Sequence, residues 1–548
     1  MAVHNARLGR PARQVSKANT VPAPFMGIDA RTVLASGDPN HCIYAFNFLP
    51  GEYGLRVRPG YREWQIELEG AGVPLGVRTI IPFGGNDDDE ADDRLFAVTN
   101  EGIWDVTVEA ASPSLVVDFS DPGNGGDTST LAGWGVYDQM TTDAGDKLIL
   151  YADSINGLFQ YDATTDTWSR PSVTGPTIEN INFVTVHKNQ IWAIERDESF
   201  AWYLPAGSVS GMATEFYFGI NFKHGGNLAG LFTWTIDGGE GVDDYFIAVS
   251  RAGDVLPYKG TDPSSADTWG LTGHYFIGAV PTGNRFAATQ EGNLYLLSVY
   301  GLISMDDLIR GVDGKNINAQ TNTIKIAPVI RRHMEDYRNE RGWEVNSIPG
   351  QGNIIIGTPK NINDVYLQYA MNTTTEGWGI WRDVPIQCFA EWAGKMYFGT
   401  EDSRVMVMDV TVDNALITPE SETNGDAISF SILTTYQNYG EPALMKRGKY
   451  IRPQFVSTSR PNVTVQFRYD YDLAEVLNTE STGLTSDSLW DIGLWDVAIW
   501  TSGALSGFHR IRGGWGIGRN VAIAMSGNTR FPTTLVSWDV VWDTGAPL

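Results

Sequence analysis

Cysteine is almost missing from this chain: only Cys42 and Cys388 occur among 548 residues. Two such distant thiols make neither a disulfide framework nor a thiolate metal cluster, and their scarcity points to synthesis in a reducing compartment. Histidine is also sparse. The seven residues His4, His41, His187, His224, His274, His333 and His509 are scattered, and no His-Glu-x-x-His occurs, so no local zinc motif is present. No apolar run approaches the roughly 18 residues of a membrane span, and the N-terminus has no apolar signal-peptide core. The expectation is a chain without a membrane span that leaves a cell, if at all, by a route other than ordinary secretion. Positive charge is short as well: 39 Lys and Arg against 65 Asp and Glu leave a formal charge of -26. That balance excludes nonspecific capture of DNA, which relies on cations against phosphates. It admits both plain solubility and an acidic conduit along which DNA slides.

What is abundant is glycine, 60 residues, and tryptophan, 18 residues, in a chain only 19% charged. This suits an all-β protein with many tight turns and aromatic packing; helical patterning is confined to a short stretch at 330–339. A short apolar unit also recurs, beginning at Arg94, Lys147, Gln190, Tyr245, Asn293, Asn353 and Lys395, with spacings of 42 to 60 residues. Most copies have a preceding apolar strand: Thr79 to Gly84, Asn182 to Val186, Leu231 to Thr235, Tyr275 to Val280, and Cys388 to Trp392. A small sheet of this kind needs neighbours on both faces, and a ring of four-stranded blades of roughly 40 to 50 residues supplies them. The expected fold is all-β: a β-propeller of about seven blades, six and eight remaining open, over residues 77–416. An irregular stack of β-meanders is the alternative.

The flanks read differently. Residues 1–40 form a basic, extended arm carrying Arg7, Arg10, Arg13 and Lys17, with no acidic residue before Asp29; it is either a plain tail or a strap for an acidic neighbouring subunit. Residues 41–76 read as a β-ribbon. In it Pro50-Gly51 and Pro59-Gly60 mark turns, and Arg56 and Arg58 alternate with Leu55 and Val57 as two outward arginines. The acidic run Asp87 to Asp93 lacks a calcium-loop pattern and reads as a solvated loop. After a linker at 417–427, residues 428–548 alternate as antiparallel strands, most clearly Val463 to Tyr471. They are expected to form a β-sandwich or jelly-roll platform, to which the N-terminal ribbon also belongs. Trp490, Trp495 and Trp500 recur there at a spacing of five.

Local catalytic motifs fail one by one. Gly207 to Gly211 has Val209 where a nucleophile elbow needs serine, Gly311 to Lys315 lacks the length and hydroxyl of a phosphate loop, and Gly514 to Gly518 has no βαβ context. A propeller glycosidase, with paired carboxylates or an arginine cluster at the ring axis, remains the enzymatic alternative. The diagnostic sialidase turn is absent, however; Asp166 to Trp168 and Ala266 to Trp269 resemble only its tail. No catalytic residue, cofactor or metal ligand is assigned.

Asn47, Pro50 and Arg56 to Gly60, then a propeller, then a domain opening on Ile428-Ser-Phe-Ser with Lys446-Arg447 and Arg452-Pro453, resemble the tail nozzle proteins of short-tailed bacteriophages, also called tail tubular or packaged-DNA stabilisation proteins. The resemblance covers chain order from about residue 41 onward. It implies a mechanical virion protein, made in the host cytoplasm, that forms a homo-hexamer below the adaptor ring of the head-to-tail connector. It also implies that the ring holds fibres or spikes and surrounds genomic DNA without reading its sequence. Arg7, Arg10, Arg13 and Lys17 are then candidate intersubunit contacts; Asn47, Pro50, Arg56, Arg58 and Arg62 are candidate platform contacts. A receptor- or glycan-binding propeller is the other reading.

Overall fold

The computed structural model describes residues 16–31, 34, 37–66, 68, 75–85, 92–142, 145–237, 242–311, 325–417, 424–476, 505–506, 511–512 and 516–547. Arg7, Arg10, Arg13, most of the acidic run and the Trp490 to Trp500 repeat lie outside them. The chain forms two compact units, residues 28–31 with 58–428, and residues 1–27 and 32–57 with 429–548.

The larger unit is a seven-bladed β-propeller. Four blades are consecutive four-stranded antiparallel meanders spanning Thr79–Asp118, Gly135–Ser169, Ile181–Tyr217 and Leu228–Leu271. The fifth has three strands, Ala287–Gln290, Asn293–Ser298 and Gly301–Ser304, followed by helices Met305–Ile309 and Ala327–Tyr337. The sixth spans Glu344–Arg382. The seventh takes Cys388–Trp392, Lys395–Gly399 and Val405–Val410 and borrows its outermost strand, Gly60–Gln65, from the N-terminal side. Inner strands of successive blades touch, and Cys388–Trp392 meets Thr79–Phe83 to close the ring.

Each blade is sandwiched between two others, so its second strand is buried on both faces and reads as an unbroken apolar run. Lys147–Asp153 is buried at every position after the first, and Asn353–Gly357 throughout. Aromatic clusters fill the gaps between blades: Trp192 of the third stacks with Trp269 of the fourth at 5.9 Å, and Phe96 of the first meets Tyr161 of the second edge-on at 5.0 Å. These offset and edge-on geometries suit the ring quadrupoles.

One strand departs from the sequence reading. Tyr275 to Val280 was expected to precede the Asn293 strand, but Tyr275–Phe276 pairs with Asp254–Val255 of the fourth blade, and Ala287–Gln290 takes the expected place. Gly278, at φ 82°, interrupts that run, so it cannot serve as a long inner strand.

The smaller unit is a β-sandwich built from both ends of the chain. Phe48–Gly51, Gly54–Val57, Thr533–Pro547 and Leu444–Ser457 lie side by side in one sheet. Cys42–Phe46, Ile428–Thr434, Val521–Thr529 and Asn462–Tyr469 are neighbours in the other. Phe48 meets Phe430 at 5.1 Å between the sheets. Gly448 packs where an added Cβ would lie 2.0 Å from the Phe467 ring, so a side chain there would split the layers.

Candidate anion-binding site

The ion pairs foreseen for other subunits are largely internal. Arg58 was expected to point outward, yet it is buried, donating from Nη1 to Asp413 Oδ1 at 2.7 Å and from Nη2 to Oδ2 at 2.6 Å. The strand Gly54–Val57 ends before it, and Pro59 redirects the chain into the propeller. Arg62 lies on the borrowed strand and grips Asp409 through Nε at 2.8 Å and Nη2 at 3.0 Å, with Glu109 beside Nη1. Glu63 receives Arg404 at 3.0 Å. Arg58 and Arg62 thus clasp the ring at its closure. Lys17 belongs to the strand Lys17–Pro22, which pairs with residues 537–542 of its own unit, and its ammonium meets Glu441; in this chain it is a sheet edge rather than a free strap. Asn47 is buried at positive φ, 59°, and donates to Ser429 O at 2.8 Å, so it shapes a corner. Pro50 is buried in the ribbon. Arg56 is exposed and has no side-chain partner among the described residues.

A different cationic group was invisible to motif reading. Within a blade, the start of the first strand pairs with the end of the second: Leu228 with Ser250, and Ile181 with Glu195. Residues just outside those positions therefore collect at one end of the ring. Arg196 and Arg251 directly follow second strands, while Arg78, Arg285 and Arg341 precede first strands. The recurrence of arginine immediately after a buried second strand, at Arg196 and Arg251, was the one available sequence signal.

These side chains converge near the axis around a cavity of about 400 Å³ lined by Trp134, Arg196, Asp197, Arg251, Arg285 and Arg341, among others. A neighbouring cavity of about 360 Å³ shares Trp134 and Arg341. Trp134, before the second blade, has the guanidinium of Arg78 at 5.7 Å and that of Arg285, from before the fifth, at 5.2 Å. Asn284 Nδ2 donates to Asn182 O at 3.0 Å. Contacts between such distant blades require the ring centre.

Most of these arginines are anchored by neutral acceptors. Arg251 donates to Pro281 O, Gly283 O and Asn284 Oδ1, each at 2.8 Å, and Arg78 to Ala132 O at 2.6 Å. Arg285 faces the buried carboxylate of Glu344 at 3.3 Å, and burial pushes that carboxyl up. Arg341 has no hydrogen bond or ion pair with any described residue. Burial lowers the guanidinium pKa values of Arg78 and Arg251 to about 10, and the charge of Arg341 adds repulsion at both. Arg341 is itself lowered, first by burial and further by Arg285 and Arg196. All remain cationic near neutrality. Partly desolvated, mutually repelling guanidinium groups of this kind are chemically suited to an anion, since a carboxylate, sulfate or phosphate can accept several charge-assisted hydrogen bonds at once.

No protein-family model and no curated protein matches this chain. Among solved structures, the extracellular domain of a hybrid two-component system from B. thetaiotaomicron is similar at 10% identity over 68% of this chain and 44% of that one, with a TM-score of 0.36. The chain thus spans less than half the length of that neighbour. YCF48 from Cyanidioschyzon merolae is similar at 8% identity over 57% of this chain and 79% of that one, with a TM-score of 0.25.

Proposed function

We propose that this protein is a structural subunit of a short phage tail, a nozzle protein whose copies form a six-fold ring below the connector adaptor and around the DNA exit channel. The observation that supports the reading is the division of the chain. Strands before residue 58 and after residue 428 build one β-sandwich, and the whole propeller is inserted between them. A platform carrying an inserted propeller is the organisation implied by the resemblance at Asn47, Pro50 and Arg56 to Gly60. Arg56, exposed and without a partner among the described residues, is a platform residue available to a neighbouring subunit or the adaptor. Six such chains carry a large negative charge, which keeps DNA mobile in a lumen without sequence recognition. Negative-stain imaging of the chain mixed with its adaptor ring tests this: a six-fold annulus with an axial hole is expected, and a field of single particles ignoring the adaptor would overturn it.

The axial arginines favour a second reading on their own account, capture of an acidic glycan or similar receptor by the propeller. Binding of uronic- or sialic-acid oligosaccharides that is abolished by Arg341→Ala is its expected result; equal binding by that variant would remove the axial pocket from consideration.

A further inference from the structure

We propose that His224, Asp254 and His274 form a binding site for one divalent transition-metal ion of the zinc class, independent of the axial arginines. The three residues come from separate segments of the propeller. His224 lies in the connection entering the fourth blade, Asp254 begins that blade's third strand, and His274 lies in the connection leaving it. Antiparallel pairing of Leu228 with Ser250 and of Asp254 with Phe276 brings all three to the same end of the blade. Their donor atoms lie within 4.8 Å of one another.

The carboxylate at the centre is the telling feature. Asp254 has no solvent exposure, and no lysine or arginine pairs with it among the described residues. Instead, His224 Nδ1 stands 2.7 Å and His274 Nε2 2.9 Å from the same oxygen, Oδ1. Oδ2 accepts the His224 backbone N–H at 2.8 Å. Burial works against its charge, while the hydrogen bonds from His224 and His274 hold the carboxyl below its ordinary value. The side chains facing this buried carboxylate are both imidazoles, so a metal cation shared by the three would supply the charge that no lysine or arginine among the described residues brings to it. Two imidazole nitrogens and one carboxylate oxygen are the donor set that zinc and its neighbours favour.

Metal binding asks for a rearrangement of side chains alone. Ligands about 2.0–2.1 Å from a tetrahedral zinc lie about 3.3 Å apart, so each nitrogen retreats from Oδ1 by about half an ångström, and the two imidazole nitrogens, now within 4.8 Å of each other, close toward that same spacing. The His224 side chain is 47% exposed and can make that movement; each imidazole then carries its ring proton on the nitrogen away from the metal, Nε2 in His224 and Nδ1 in His274, leaving the Nδ1 and Nε2 lone pairs respectively as ligands. The same exposure leaves the fourth vertex to water or an incoming ligand. Around the site, Ser250 Oγ accepts from the backbone N–H groups of Gly253 and Asp254 at 3.2 and 3.0 Å, and the Phe276 ring packs 3.9 Å from that of His224. These contacts hold Asp254 in place and guide the His224 ring, as outer-shell partners do in built metal sites.

The test is calorimetric titration of Zn²⁺ into the chelator-stripped full-length chain, with X-ray absorption on the loaded protein. One ion per chain with nitrogen and oxygen ligands is expected, and Mg²⁺ should give no comparable heat. His224→Gln and His274→Gln should each weaken zinc binding by about 100-fold or more, since loss of even an outer-shell partner costs 10–100-fold. His224 is half-exposed, so its variant tests the site without threatening the fold. Absence of zinc uptake by the wild-type chain, or unchanged affinity in both glutamine variants, would overturn the assignment.

Discussion

The clasp at the ring closure gives the sharpest test of the propeller. Arg58 has no side-chain exposure and Asp413 only 12%, and their two hydrogen bonds of 2.7 and 2.6 Å tie the residue entering the propeller to the segment leaving its last blade. Replacing one member of a buried, bidentate pair leaves an uncompensated charge, which costs about 3–5 kcal/mol. With an unfolding entropy of about 2.1 cal/mol/K per residue, that loss corresponds to a drop in melting temperature of roughly 4–6 °C for a unit of this length. Arg58→Ala should show that shift when melting is followed by tryptophan fluorescence. The exposed Arg56→Ala should stay within about 0.5 kcal/mol of the parent, as surface changes do. Replacing both partners with apolar residues, Arg58→Met with Asp413→Leu, should recover most of the loss because no orphan charge remains. A melting temperature for Arg58→Ala indistinguishable from that of Arg56→Ala would refute the account of closure.

Other perturbations have equally definite outcomes. Gly60→Ala would place a Cβ 2.0 Å from Val412 O; overpacking of this kind costs about 1–3 kcal/mol, and denaturant melts should show it. Lys446 is fully buried and donates to Glu441 O, Leu444 O and Arg519 O at 2.7, 3.0 and 2.8 Å. Lys446→Met strips all three carbonyls of their donor and should destabilise the sandwich by about 3 kcal/mol or more, read from its thermal transition. Burial lowers the pKa of both His187 and His333 from 6.5 to about 4, so each stays neutral in the fold while its unfolded form takes a proton. Stability from this source is complete above about pH 6.5 and is lost as pH falls toward 4; denaturant titrations at several pH values should show the loss, and His333→Gln should reduce it. Sulfate should raise the melting temperature of the parent beyond chloride at equal ionic strength by more than it does for Arg341→Ala, the difference being the part due to the axial pocket, since general exclusion of sulfate acts on both.

The parts of the fold that could be read from sequence are those buried on both faces. The second strands announce themselves because two neighbouring blades cover them. Outer strands do not: Ser114–Asp118 is exposed at four of five positions and Thr167–Ser169 is only three residues long, so neither carries a pattern. The seventh blade's outer strand was hidden by distance, since Arg62 and its partner Asp409 stand 347 positions apart. Arg58 misled because the alternation from Leu55 was carried one residue too far: the strand ends at Val57, and Arg58 already belongs to the turn at Pro59. The functional clusters were hidden for a related reason. The axial arginines meet only after the ring closes, and His224, Asp254 and His274 are joined by turns that bring the two connections flanking the fourth blade to one end, so a search for closely spaced ligands passes over them.

The measurement that bears most directly on the central claim is the mass of the full-length protein in solution, alone and with its candidate adaptor ring. The nozzle account predicts six copies of the 60.2 kDa chain in one closed species, formed alone or on the adaptor. A chain that remains a monomer under both conditions would contradict it and leave the propeller as a ligand-binding module.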